Sequence, residues 1–172
     1  MTFLMAAMLV GGLTGLDGTY HQSRSGQQED QGVQKAAAAG KSTMKVHYID
    51  VGQGSAVLVQ SGVHFMLIDG GDSDASSKVV SYLKRQKVKK LDYVVVSHYD
   101  SDHLNGVVGA LNVFKVKRVI APAYTADSRV YESYCNIIAQ KKIATTRPKV
   151  GKKYKLGKAR FTILAPNSSG YA

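Results

Sequence analysis

A chain of 172 residues sets a prior of one domain, or one domain with a tail. Hydrophobic residues make up 44% and charged residues 20%, which supports a packed core and excludes wholesale disorder, coiled-coil and collagen-like chains and polytopic membrane proteins. The net charge is +11. Residues 1–44 balance three bases against three acids, so the whole excess lies in 45–172, at 20 bases to nine acids. Such a field favours polyanions: nucleic acid, teichoic-acid-like wall polymers or an anionic membrane surface.

In chain order, residues 3–16 form an uncharged apolar run, too short for the roughly 20 residues of a spanning helix. The run has the character of a secretory signal or membrane anchor, although no Lys or Arg precedes it. The alternative is an apolar helix packed on the domain. Residues 17–43, rich in Gln, Gly, Ser and Ala, have the composition of a mobile linker. The expected division is therefore 1–16 signal or anchor, 17–43 linker and 44–172 domain, with a secreted or membrane-tethered extracellular location and N-terminal membrane contact.

From residue 44 the pattern turns to short strands and helices. Strands are predicted at 45–49, 56–60 and 64–69, the last two joined by a tight turn at Ser61-Gly62. A helix follows at 76–86, with Val79, Val80 and Leu83 at helical spacing. Residues 91–97 read as a strand buried on both faces. A helix through 104–111, a strand at 116–121, a helix at 129–141 and a ribbon at 154–156 and 160–164 complete the chain. The class is α/β with a mixed sheet. Cys135, the single cysteine, excludes an internal disulfide and reads as a buried small residue on the third helix.

Residues 97–103 read Ser-His-Tyr-Asp-Ser-Asp-His, placing His98, Asp100, Asp102 and His103 within six positions after an apolar strand. A loop leaving a strand end turns such side chains towards one point. His98 with Asp100, and Asp102 with His103, suit two neighbouring divalent cations that clamp a phosphoryl or acyl oxygen. The bland alternative is a polar loop whose aspartates cap the next helix, with Asp102 as N-cap. Oxygen-rich ligation admits manganese beside zinc.

The string His-x-Asp-x-Asp-His-x-x-Gly at residues 98–106 resembles the metal motif of the metallo-β-lactamase fold. Asp50-Val-Gly-Gln-Gly54 and Leu67-Ile-Asp-Gly-Gly71 resemble the opening motifs of its ComEC-type branch, the competence nuclease domain and its secreted relatives. The resemblance implies a metal-dependent hydrolase of phosphodiester or related bonds on a four-layer αββα sandwich. It implies His98 and Asp100 on one metal, Asp102 (also catalytic) and His103 on the other, with Asp69 supporting the loop from beneath and Asp50 supporting the site from its own motif. Two departures stand out. Ser55 occupies a position where the family usually has aspartate, and no histidine follows His103, while Asp127 and Glu132 are the only later acids. The expectation is a chain holding the first half of the fold, with one sheet face left bare and available for self-association.

Other features receive plainer readings. His47 and His64 lie on adjacent predicted strands and could in principle meet at a metal, but strand histidines are more often satisfied core or surface residues. The glycine pairs match no nucleotide-binding motif, and Ser97 sits in no nucleophile elbow. Residues 141–160 hold nine bases and no acid, with Tyr154 and Phe161 interleaved. They form either a polyanion track leading to the metal site, centred on Lys152, Lys153 and Lys155, or a solvated ribbon. The leading functional reading is an exported metal-dependent phosphodiesterase acting on DNA or a similar anionic polymer. A teichoic-acid-type wall phosphodiesterase and a catalytically dead polyanion-binding module are the alternatives.

Overall fold

The computed structural model describes residues 7–10 and 44–166. β1 (Ala7–Val10) is followed by an antiparallel meander of β2 (Met44–Tyr48), β3 (Val57–Ser61) and β4 (His64–Ile68). α1 (Ser76–Arg85), β5 (Lys90–Leu91), β6 (Tyr93–Val95) and α2 (Ser101–Val113) come next. The chain continues through β7 (Lys115–Val116), β8 (Arg118–Ile120), α3 (Arg129–Gln140) and β9 (Ala144–Thr146) to β10 (Lys153–Leu156) and β11 (Ala159–Ile163).

The main sheet has the order β2-β3-β4-β6-β8-β9, antiparallel up to β4 and parallel beyond it. Each parallel step crosses over through a helix, which places α1, α2 and α3 side by side on one sheet face. Val79 and Leu83 of α1, Leu104, Val107 and Leu111 of α2, and Ile137 of α3 pack there on Leu58, Leu67, Val94 and Val119.

The other face is covered, which corrects the expectation of a bare sheet. Val59, Met66, Val95 and Ile120 pack against Leu156, Phe161 and Ile163 of the β10–β11 hairpin. A fully buried side chain of this kind contributes about 1.5–3 kcal/mol relative to an exposed one, so the chain's own ribbon removes the stated motive for self-association through that face. β1 extends this second sheet, pairing antiparallel with β11 in the register Ala7 to Ile163. This segment of the apolar run 3–16 is thus a strand rather than the packed helix held as the alternative. The rest of that run, and the linker at 17–43, lie outside the described residues. Among the described residues no helix is long and apolar enough to cross a membrane.

Two predicted strands are each broken in two. The segment at 91–97 splits at Asp92, whose N–H donates to Phe65 O and whose carboxylate takes His64 Nδ1 at 2.9 Å. The segment at 116–121 splits at Lys117, whose N–H donates to Leu91 O. These bonds between segments distant in sequence divert β5 and β7 into a separate two-stranded pair. β9, an edge strand of three residues, was not anticipated; it is too short to carry a periodic pattern.

Candidate metal centre

The carboxyl ends of β4 and β6, adjacent parallel strands, converge on one point, the usual place for a ligand in an open α/β sheet. Asp69 follows β4 with φ at 55°, in the left-handed region that aspartate tolerates better than most residues. Its buried carboxylate organises the loop that leaves β6. Oδ1 accepts from Ser97 N at 2.8 Å, while Oδ2 accepts from Ser97 Oγ at 2.6 Å and from His103 Nδ1 at 2.9 Å.

This arrangement fixes both imidazoles. A carboxylate only accepts, so His103 carries its proton on Nδ1. Ser97 gives its one hydroxyl proton to Asp69, and therefore accepts from His98 Nδ1 at 2.9 Å. Both rings consequently keep the Nε2 lone pair for an outside partner. His98 Nε2 stands 3.4 Å from Asp100 Oδ2, and His103 Nε2 stands 3.7 Å from Asp102 Oδ2. The two ring centres are 4.0 Å apart.

His98, Asp102 and His103 each offer a ligand atom, all within 4.8 Å of one another. Asp100 stands outside this trio, its side chain 67% exposed and joined to it through His98. The helix-capping alternative does not account for these acids. Asp100 occupies the N-cap of α2 without a side-chain capping bond, and Asp102 lies inside the first turn rather than before it. Two imidazoles anchored through Nδ1, each with Nε2 turned to a carboxylate, fit a divalent cation, and the bonds behind each Nδ1 are the outer partners that metal-bound histidines require.

The electrostatics separate the histidines. Burial pushes His98 below the ordinary imidazole range, helped by the neighbouring His103 and opposed by Asp100. The hydrogen bond to Asp69 lifts His103 above it against the effect of burial.

Close backbone contacts lock the loop in place. Gly54 has φ at +95°, and a Cβ there would overlap the Asp102 carbonyl. Gly70 and Gly106 press backbone on backbone, with Gly70 N donating to His103 O at 2.8 Å. Asp50 supports the site only through its turn, accepting from Gly52 N at 3.2 Å. The Ser55 carbonyl accepts from Gly71 N at 2.9 Å, tying the same turn to the loop after Asp69. Behind the loop, the ring of Tyr99 is buried among Tyr124, Tyr131 and Tyr134, and its N–H donates to Tyr124 Oη at 2.9 Å. Ser97 and Tyr124 are the residues that the sequence reading missed. In the sequence Ser97 reads only as a nucleophile that lacks its elbow, and nothing local ties Tyr124 to a loop 25 positions earlier.

The remaining candidates disperse. His47 Nδ1 meets Tyr82 Oη and His64 meets Asp92, with β3 between their strands. Cys135 is half-buried rather than buried. Lys141 is no part of a basic track, because its Nζ donates to the Leu111 and Asn112 carbonyls at the end of α2. In the ribbon, Lys153, Lys155 and Arg160 share the sheet face opposite to Leu156 and Phe161, and Lys152 is exposed in the preceding turn. The hairpin turn at Gly157 sits against Ser61 and His64, at the end of β4 remote from Asp69. Lys141 therefore stands apart from a track along 141–160, and the turn at Gly157 marks the end of the ribbon away from Asp69.

A helix-covered mixed sheet with a second sheet beneath, and histidines and aspartates gathered where parallel strands end, defines a metallohydrolase domain. The chain belongs to the Metallo-beta-lactamase superfamily, whose family model matches residues 49–157. It is 30% identical over 100 residues to Recombination protein 2 of Haemophilus influenzae, covering 55% of this chain and 13% of that protein. It is 41% identical over 58 residues to Competence protein ComA of Neisseria gonorrhoeae, covering 33% of this chain and 8% of that protein. The fold is similar to that of MEM-A1, a subclass B3 metallo-beta-lactamase isolated from a soil metagenome library, with a TM-score of 0.52 at 20% identity over 68% of this chain and 48% of that one. The chain thus spans about half of a solved relative and a small part of the competence proteins.

Proposed function

We propose that this chain carries the metal-binding loop of a phosphodiester hydrolase acting on an anionic polymer, with nucleic acid as the leading substrate. The observation that carries the reading is the pair of Nδ1-anchored imidazoles, each with its Nε2 facing a carboxylate. In this reading His98 and Asp100 hold one divalent cation, and Asp102 and His103 hold a second, zinc or manganese. A bound divalent ion supplies Lewis acidity towards a phosphoryl oxygen and acidifies water at neutral pH. Asp69 and Ser97 keep both rings in the ligating tautomer, and Asp102 orients the nucleophile. The exposed cations Lys152, Lys153 and Lys155 hold the polymer's phosphates. The similarity to competence proteins supports a substrate of DNA, and an extracytoplasmic location belongs to the same reading.

The test is hydrolysis of bis-p-nitrophenyl phosphate and of DNA after chelation and re-addition of Mn²⁺ or Zn²⁺, with calorimetry alongside. Metal binding that disappears in the His98→Ala/His103→Ala variant supports the loop as the site. Unchanged metal affinity in that variant sinks the assignment. Two protein ligands per cation make weak binding and low turnover the expected result, and Asp102→Ala lowers turnover further without loosening the polymer. Binding of wall polymer with no affinity for DNA would favour the teichoic-acid alternative. Polymer binding with no metal affinity at all would favour the non-catalytic module.

A further inference from the structure

Away from the metal loop lies a second concentration of positive charge, on α1 and the segment that follows it. Between Asp74 and Asp92 the chain has six bases (Lys78, Lys84, Arg85, Lys87, Lys89 and Lys90) and no acid. All six are exposed. Beside them a groove of about 520 Å³ opens between α1 and the edge strand β2.

The walls of this groove are built from side chains that the core does not use. α1 buries Val79 and Leu83, while Ser77, Ser81 and Arg85, one turn apart, line the groove together with Lys78 and Tyr82 on the adjoining ridge. Tyr82 is braced by its hydroxyl, 2.9 Å from His47 Nδ1, and the Arg85 guanidinium lies 5.4 Å from its ring centre. Opposite them Tyr48 stands 83% exposed. An aromatic ring left in water beside cations is the arrangement by which proteins hold single strands, with bases on rings and phosphates on cations. Lys78 and Arg85 are about 10 Å apart along the helix axis, enough to engage separate phosphates of one strand. The groove continues to Asp50, whose turn leads to Gly54 against Asp102.

We propose that this groove is a subsite for single-stranded nucleic acid. Lys78 and Arg85 hold backbone phosphates, the Ser77 and Ser81 hydroxyls donate to phosphate oxygens, and Tyr48 stacks on a base. The stacking ring favours nucleic acid over a wall polymer, which has no bases to place on it. The inference rests on the reading of the substrate as an anionic polymer, and it adds a site outside both the metal loop and the ribbon.

The experiment measures fluorescence anisotropy of a labelled twenty-nucleotide oligothymidylate on the full chain in chelator, with inorganic polyphosphate as competitor. Lys78→Ala/Arg85→Ala should weaken binding about tenfold and flatten the log–log salt slope by about 1.4, from two lost phosphate contacts at about 0.7 each. Tyr48→Ala should weaken binding several-fold and leave the slope unchanged, since stacking carries no counterion. Thermal melts verify that these surface variants remain folded. Affinity of the double variant within twofold of wild type would overturn the proposal. So would a neutral Tyr48→Ala combined with equal competition by polyphosphate, which would make the groove a general phosphate-polymer surface. Hydrolysis of bis-p-nitrophenyl phosphate by the metal-loaded chain is read separately. A chain that cleaves it without binding the oligonucleotide loses the groove alone, whereas groove-dependent binding with metal affinity unchanged by His98→Ala/His103→Ala supports the groove and loses the metal-centre reading.

Discussion

Asp69 Oδ2 and His103 Nδ1 stand 2.9 Å apart across 34 residues of chain, and this contact joins the end of β4 to the first turn of α2. The same carboxylate oxygen takes the Ser97 hydroxyl, so one buried acid sets the tautomer of both histidines. Asp69→Asn replaces one acceptor oxygen by an NH2 group, which sets donor against donor either at Ser97 N–H or, in the other amide orientation, at both Ser97 Oγ–H and His103 Nδ1–H. We expect divalent-metal affinity to fall by about 10–100-fold, the usual effect of losing such an outer partner. Ser97→Ala should cost less, because it releases His98 only. Calorimetric titration of both variants with Zn²⁺ tests the order, and equal affinity in wild type and Asp69→Asn would remove Asp69 from the site.

The histidines should pull metal-free stability in opposite directions with pH. His103, raised above 6.5 by Asp69, stabilises the fold most fully below 6.5 and loses that contribution as pH rises through its own higher pKa. His98, lowered below 6.5 by burial, contributes above 6.5 and loses stability as pH falls through its own lower pKa. Thermal melts in chelator between pH 5 and pH 8 should show His98→Ala less sensitive to acid than wild type and His103→Ala more so. Identical profiles for the two variants would contradict the assignment of partners.

Backbone contact around the loop makes a sharp contrast among glycines. Gly106→Ala drives a methyl group into the Gly70 backbone and should cost at least the roughly 1–3 kcal/mol typical of overpacking. Gly151→Ala meets nothing within 4 Å, so its cost is confined to the positive φ of 79°. Denaturant unfolding should rank Gly106→Ala well below Gly151→Ala; the reverse order would mean that the close approach of Gly70 and Gly106 is not maintained.

Tyr124 holds the metal loop from outside by accepting the Tyr99 N–H. Tyr124→Phe leaves that amide without its acceptor at a buried residue, a loss of about 1–3 kcal/mol. Because Tyr99 lies between His98 and Asp100, the substitution should also alter the visible absorption of a bound Co²⁺ ion. A lowered Tm with an unchanged Co²⁺ spectrum would confine Tyr124 to a structural role.

Much of the domain was legible along the chain. Apart from β9, the order of strands and helices from 44 to 164 followed from periodicity, because α1 and α3 bury one stripe each and the apolar runs at β6 and β8 are buried on both faces. The splits at Asp92 and Lys117 were not legible, since each depends on a hydrogen bond to a strand distant in sequence.

The density of His98, Asp100, Asp102 and His103 within one loop declared the chemistry, because ligands drawn from a single turn are local in sequence. Their roles were decided by tertiary structure. Only the parallel register of β4 beside β6 brings Asp69 beneath Ser97 and His103, and only that contact leaves both Nε2 atoms directed at carboxylates. In the same way, the charge of residues 78–90 was countable from the sequence, but its juxtaposition with Tyr48 required α1 to lie along the edge of β2. The sequence alone therefore determined the residue types and the local periodicity. The distances between segments far apart in the chain, on which hydrogen bonding and stacking depend, were decided by the fold.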